Sequence, residues 1–116
     1  ITPETTFSKD DHRHFNRDGK AFDKGETFSG VPLDLAFPAI EELKEIFIGE
    51  AELAAIALRW ILMHREVSVV IPGASKLSQL KSNVMASQLP EITAEQMSQV
   101  KNVYDKYIKP EVHQLW

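Results

Sequence analysis

Cysteine is absent from the sequence, and with it any disulfide framework or thiolate metal site. That suits a reducing compartment, and a cytoplasmic location is the expectation. No apolar run is long enough to cross a bilayer; the longest, near Leu53–Met63, is broken by Arg59. No basic stripe stands out, and 13 Lys and Arg against 17 Asp and Glu give a net charge of −4, so nucleic acid is not an expected partner. The opening Ile1-Thr2-Pro3-Glu4-Thr5-Thr6 has neither the basic flank nor the apolar core of a signal peptide. It also lacks an initiator Met, so the chain is expected to begin inside something longer. What remains is a globular composition: 116 residues, 43% hydrophobic and 26% charged, enough for one ordinary domain.

Residues 1–32 show no clean periodicity and hold much of the turn chemistry, including Asn16, Asp18-Gly19, Gly25, Gly30 and Pro32. Phe7, Phe15, Phe22 and Phe28 recur along this stretch, which predicts a long ordered loop pinned by rings, of the kind that serves as a lid or binding loop. Leu35, Ala39, Leu43 and Ile46 then share one face of a helix over Leu33–Phe47, with Glu41, Glu42, Lys44 and Glu45 mostly opposite. Pro38 marks the first turn most naturally; the alternative is a start near Asp34 with a local kink. Gly49 supplies the stop. A second helix, Ala51–His64, is apolar nearly all round, which predicts burial on more than one side.

Val67-Ser-Val-Val-Ile71 is a short β-branched run that reads as a strand covered on both faces and ended by Pro72. A third helix is expected from about Lys76 to Ser87, with Ser75 as its N-cap and Leu77, Leu80, Val84 and Met85 inward. Thr93-Ala-Glu-Gln96 fits a capping box opening a fourth helix, whose inner face carries Met97, Val100, Tyr104 and Tyr107 and which Pro110 ends. The strand, tight polar turn and helix N-terminus over Val67–Asn83 form the one stretch with chemistry attached. Small residues let a backbone come close, and unpaired N–H groups at a helix start attract an anion, most often a phosphate. A lone strand cannot satisfy its own N–H and C=O groups. Its partners are not visible in this chain, so it reads as one sector of an α/β domain such as a (β/α) barrel, which needs about 250 residues.

Two motifs carry a family resemblance. The helix Ala57-Leu-Arg-Trp-Ile-Leu62 and the loop Ile71-Pro-Gly-Ala-Ser, continuing through Gln79-Leu80 to Asn83, resemble at matching separation the C-terminal end of an aldo-keto reductase. The opening loop is similar to the long loop after that family's seventh barrel strand. The resemblance implies an α/β fold, the C-terminal part of a (β/α)8 TIM barrel that is mostly helical in this portion. Residues 1–116 would be one segment of a single barrel domain: 1–32 a long cofactor-side loop, 33–91 the last barrel helices and strand, 92–116 the C-terminal helix and tail. It implies NADP(H) as cofactor, a small carbonyl compound as substrate, and reversible reduction of aldehydes or ketones to alcohols.

Carried over residue by residue, Gly73 admits the phosphate, Ser75 donates its hydroxyl and N–H, and Lys76 supplies a point charge. Gln79 stands where many members carry an arginine, Ser82 where a glutamate is common, and Asn83 bonds the adenine. Gln79 offers no charged fork, so preference for NADP rests on Lys76. The family's catalytic Asp, Tyr, Lys and His lie on earlier strands; none is placed in this chain, which alone is expected to be inactive and to need the remainder of the barrel. The loop is also similar to that of voltage-gated potassium channel β subunits, built on the same barrel, in which it would serve a regulatory nucleotide sensor.

Several residues invite sharper readings than they support. Asp10-Asp11-His12-Arg13-His14 falls short of three or four converging ligands and reads as a solvated polar loop, with no metal expected. Lys9, Arg13 and Arg17 are candidates for a cofactor pyrophosphate, against a plain surface role. Arg59 is expected in a structural ion pair with its stem buried, and His64 as a helix C-terminal cap. Trp60 and Met63 are assigned to the core, and Trp116 to tail packing.

Overall fold

The computed structural model describes residues 4–11, 14 and 30–115. Phe15, Phe22, Phe28, His12, Arg13, Arg17 and Trp116 therefore lie outside the described residues. The described elements are α1 (Leu33–Ile46), α2 (Leu53–Leu62), α3 (Leu77–Met85) continued by a 3-10 turn (Ala86–Gln88), and α4 (Ala94–Val103). A π-helical segment (Tyr104–Ile108), α5 (Lys109–Val112) and a final 3-10 turn (His113–Leu115) follow α4 directly. The chain divides into two compact units, Ile1–Glu45 with Gln99–Trp116, and Ile46–Ser98.

In the first unit α1 begins earlier than the proline suggests. The Pro32 carbonyl accepts from the N–H of Leu35 (3.1 Å) and of Ala36 (3.0 Å), and Pro38 stands inside the helix rather than in its first turn. The carbonyl that loses its partner to Pro38 belongs to Asp34, an exposed residue near the start of the helix. The predicted faces hold: Ala39 is buried, while Glu41, Lys44 and Glu45 are exposed. Glu42 departs from them, half-buried where the Tyr107 hydroxyl donates to its Oε1 at 2.6 Å and the Lys106 ammonium shares the same oxygen.

Pro110 does not end the helical run. The π-helical segment sits just before it, and the Lys109 N–H bonds back to the Tyr104 carbonyl. The wider turn moves the proline ring clear of the preceding carbonyls, and the run continues to Leu115. Val112, 2% exposed, anchors it, and the Tyr104 hydroxyl meets His113 Nδ1 at 2.7 Å.

In the second unit α2 packs against α3 and the 3-10 turn, with Phe47, Ala55, Ile56, Ala86 and Ile92 buried. Gly49 does the work expected of it, at φ +77. Thr93 and Gln96 form the expected capping box: Gln96 N–H donates to Thr93 Oγ1 (3.1 Å), and Thr93 N–H donates to Gln96 Oε1 (3.0 Å). Arg59 is paired as expected, with Nε donating to the Pro90 carbonyl (3.3 Å) and Nη2 lying 3.7 Å from Glu91 Oε1.

Several expectations fail. Burial of α2 on several sides is not seen; Ala55 and Ile56 alone in it are buried, and Trp60 and Met63 are half-buried. His64 does not cap α2: its ring stands edge-on to Trp60 at 4.5 Å, and its Nε2 is buried with no partner among the described residues. Helix α3 stops at Met85 and tightens into the 3-10 turn. Its expected inward residues Leu77, Leu80, Val84 and Met85 are all exposed. No strand occurs among the described residues; Val67–Ile71 is without regular structure, with Ile71 91% exposed. The cause is shared: Val67–Ile71 finds no ladder partner among the described residues, and α2 covers only part of α3.

The Lys106 ammonium, and after it the Tyr107 hydroxyl, hold the Glu42 carboxyl below its usual 4.5. A depressed folded value contributes stability above pH 4.5 that is lost as the pH falls through the folded pKa. Glu42→Gln should lower stability at neutral pH and flatten its decline in acid; chemical denaturation at several pH values checks this, and an unchanged acid slope would refute it. At Gly49 an added Cβ meets nothing within 4 Å, so the cost of Gly49→Ala is left-handed strain alone. A loss of about 1 kcal/mol in the same denaturation experiment is expected.

Candidate anion-binding site

The site begins where α2 ends. His64 N–H bonds to the Ile61 carbonyl (3.2 Å) and Val67 N–H to the His64 carbonyl (2.9 Å), which turns the chain into the segment Val67–Ile71. Residues 71–80 are exposed throughout. A Cβ at Gly73 would meet nothing within 4 Å, so no contact inside the described chain demands glycine there. The open space above it is what a close approach from outside requires.

Lys76, not Ser75, is the N-cap of α3, with φ −135 and ψ 148. A lysine side chain has no acceptor, so it cannot cap the helix itself. Gln79, at the third helical position, does so instead. Its Oε1 accepts from Ser75 N–H (2.9 Å), Lys76 N–H (3.0 Å) and the Ser75 hydroxyl (3.1 Å). Two backbone donors and one hydroxyl thus converge on a single oxygen. The first turn of α3 holds no acidic residue. The positive end of the helix dipole therefore meets no compensating carboxylate there. The Lys76 side chain is exposed and makes no ion pair with a described residue.

One turn further on, Asn83 Nδ2 donates to the Gly73 carbonyl at 3.5 Å, a long bond that ties the loop back to the helix. Asn83 and its neighbour Ser82 are half-buried, and Ser82 makes no side-chain bond to a described residue. The structure thus brings Ser75, Lys76 and Gln79 to one point, and Gly73 to Asn83. Chemically the point is a set of uncharged donors converging on one oxygen, with an exposed lysine at the same helix start.

The capping role of Gln79 was missed in the sequence, because a lysine stands three residues before it where a capping box has Ser or Thr. Glu42, Tyr107 and Lys106 had no sequence signal, because their meeting spans distant positions. No group of three or more His, Cys, Asp or Glu among the described residues could hold a metal, and none of the described helices is long and apolar enough to cross a membrane. A separate cleft of about 370 Å³ is lined by Ile56, Leu89, Pro90, Ile92 and, on its polar side, Glu50 and Gln96. None of the loop residues reaches it.

The family model of the Aldo/keto reductase family matches residues 2–105. The chain belongs to this family. Comparison with curated proteins and with solved structures returns no match. The matched span contains the whole loop and α3, so the donor cluster lies in the part of this aldo-keto reductase that the family relation covers. The family is one of oxidoreductases that generally use NAD(P)H.

The three bonds to Gln79 predict slow exchange at otherwise exposed amides. Ser75 and Lys76 N–H should exchange more slowly than Gly73 and Ala74 in hydrogen exchange read by NMR, and Gln79→Met should erase the difference. Equal rates across Gly73–Lys76 in the unaltered protein would show that the amide cap is not formed in solution.

Proposed function

We propose that Gly73–Asn83 binds the adenosine 2′-phosphate and adenine end of NADP(H), within an enzyme that reversibly reduces aldehydes or ketones to alcohols. The observation that carries this reading is the convergence of Ser75 N–H, Ser75 Oγ and Lys76 N–H on one point, with the Lys76 side chain exposed and in no ion pair with a described residue. This donor set suits a phosphate oxygen. Family membership supplies the reason to expect a nicotinamide cofactor there. The chemistry that cofactor supplies is hydride transfer to a carbonyl carbon.

In this reading each residue acts by binding or orienting. Gly73 leaves room above the backbone, and Ser75 and Lys76 present N–H groups to the phosphate. The Lys76 ammonium distinguishes a phosphorylated ribose from a bare one. Asn83, tethered to Gly73, sets the distance between the phosphate and adenine subsites, with Ser82 beside it. The exposed Val69, Ile71, Leu77, Leu80, Val84 and Met85 are apolar in a way that suits packing against the remainder of a barrel, with Val67–Ile71 as one of its strands. The proton donor and its partners would come from that remainder. The lack of cysteine suits a reducing compartment such as the cytoplasm.

Titrating the full-length protein with NADPH and NADH tests the reading. A charge-assisted bond is worth roughly 1.5–3 kcal/mol, so Lys76→Ala should weaken NADPH by about tenfold or more. NADH should change by less than about threefold, because it lacks the phosphate that Lys76 addresses. Equal losses for the two cofactors would sink the assignment of Lys76 to the 2′-phosphate.

A further inference from the structure

We propose that Gln79 is a built-in competitor for the phosphate: its amide oxygen sits at the point to which a phosphate oxygen must come. The proposal rests on the assignment of this loop to a nucleotide 2′-phosphate. The donors needed for that phosphate, Ser75 N–H, Ser75 Oγ and Lys76 N–H, are all engaged by Gln79 Oε1 at 2.9–3.1 Å. A backbone N–H has one hydrogen, so each donor serves the amide or the ligand with full strength, not both.

The contest is uneven but real. An amide oxygen is neutral, and a phosphate oxygen is charged, so the ligand makes the stronger bonds. Against that, Gln79 is tethered three residues away and loses little freedom in returning. It is also exposed, so nothing in the described chain holds the side chain in or out of the cradle except these three bonds. Swinging the amide aside requires only side-chain torsions. Gln79 therefore lowers phosphate affinity and speeds release, and it protects the helix start when no phosphate is bound. An arginine at this position could not act in this way, having no acceptor. The substitution of an amide for a guanidinium thus changes the residue from a second cation into a competing ligand.

The test uses the full-length protein and two probes, adenosine 2′,5′-bisphosphate and adenosine 5′-monophosphate, by calorimetric titration. Gln79→Met keeps the length of the side chain and removes the oxygen. Bisphosphate binding should tighten by about tenfold, the equivalent of one ordinary net hydrogen bond, and monophosphate binding should change by less than about twofold. Weaker or unchanged bisphosphate binding in Gln79→Met would overturn the competitor role and mark Gln79 as a contact or a bystander. Failure of the unaltered protein to bind bisphosphate more tightly than monophosphate would instead remove the loop assignment, and the competitor with it.

Because the substitution removes a helix cap, a measurement on the unaltered protein stands beside it. NMR titration with bisphosphate should shift the Gln79 side-chain amide together with the Ser75 and Lys76 backbone amides, and monophosphate should not. A Gln79 side chain that stays in place while the backbone amides shift would refute displacement.

Discussion

Backbone N–H groups that find no ladder must be satisfied some other way, and at the turn into α3 a single side-chain oxygen does most of it. Gln79 Oε1 gathers two backbone N–H groups and a hydroxyl, and Asn83 ties Gly73 to the same helix. The segment before the turn has no such help. Val67–Ile71 forms no ladder with a described residue, and Ser68, Val69 and Ile71 are exposed. The bonds of Gln79 and Asn83 tie the loop to α3, three of them across three or four residues and that of Asn83 across ten.

The uncovered face of α3 follows from the same constraint. Its apolar side chains are spaced as a helix that packs, yet Leu77 is 67% exposed and its neighbours little less so. Helix α2 takes up the 3-10 turn and part of α3, burying Ala86 completely, and leaves the rest uncovered. Val67–Ile71 and this apolar helix side both lie within the span matched by the aldo-keto reductase family model.

In the first unit the organising feature is the carboxylate of Glu42. It accepts from Tyr107 and Lys106 on the π-helical segment, joining α1 to the C-terminal run. The π turn has two consequences. It carries Pro110 without breaking the helix, and it puts consecutive residues, Lys106 and Tyr107, on one oxygen. Asp105 in the same segment is held below its ordinary pKa, first by Lys101 and then, beyond a smaller opposing effect of burial, by Lys109. The segment is thus bordered by ion pairs, with Val103 before it and Val112 after it buried.

What the sequence determined by itself was whatever rests on neighbours along the chain. The Thr93–Gln96 capping box, the turn at Gly49, the helical spacing of α1 and the family motifs all depend on residues a few positions apart, and each was legible. The Arg59 pair was expected in kind, though not its partners Pro90 and Glu91. Tertiary structure decided the rest. Pro38 and Pro110 read as boundaries, yet both lie inside helical runs, Pro38 four residues after the exposed Asp34 and Pro110 just after a widened turn. Leu77, Leu80, Val84 and Met85 read as core, since periodicity tells which side of a helix is apolar but not whether anything covers it. The loop Val67–Asn83 read as a phosphate site from its residue types alone. Only the folded geometry showed that its donors already hold an oxygen, that of Gln79, because the direction of a side chain is set by the bonds it finds and not by its place in the sequence.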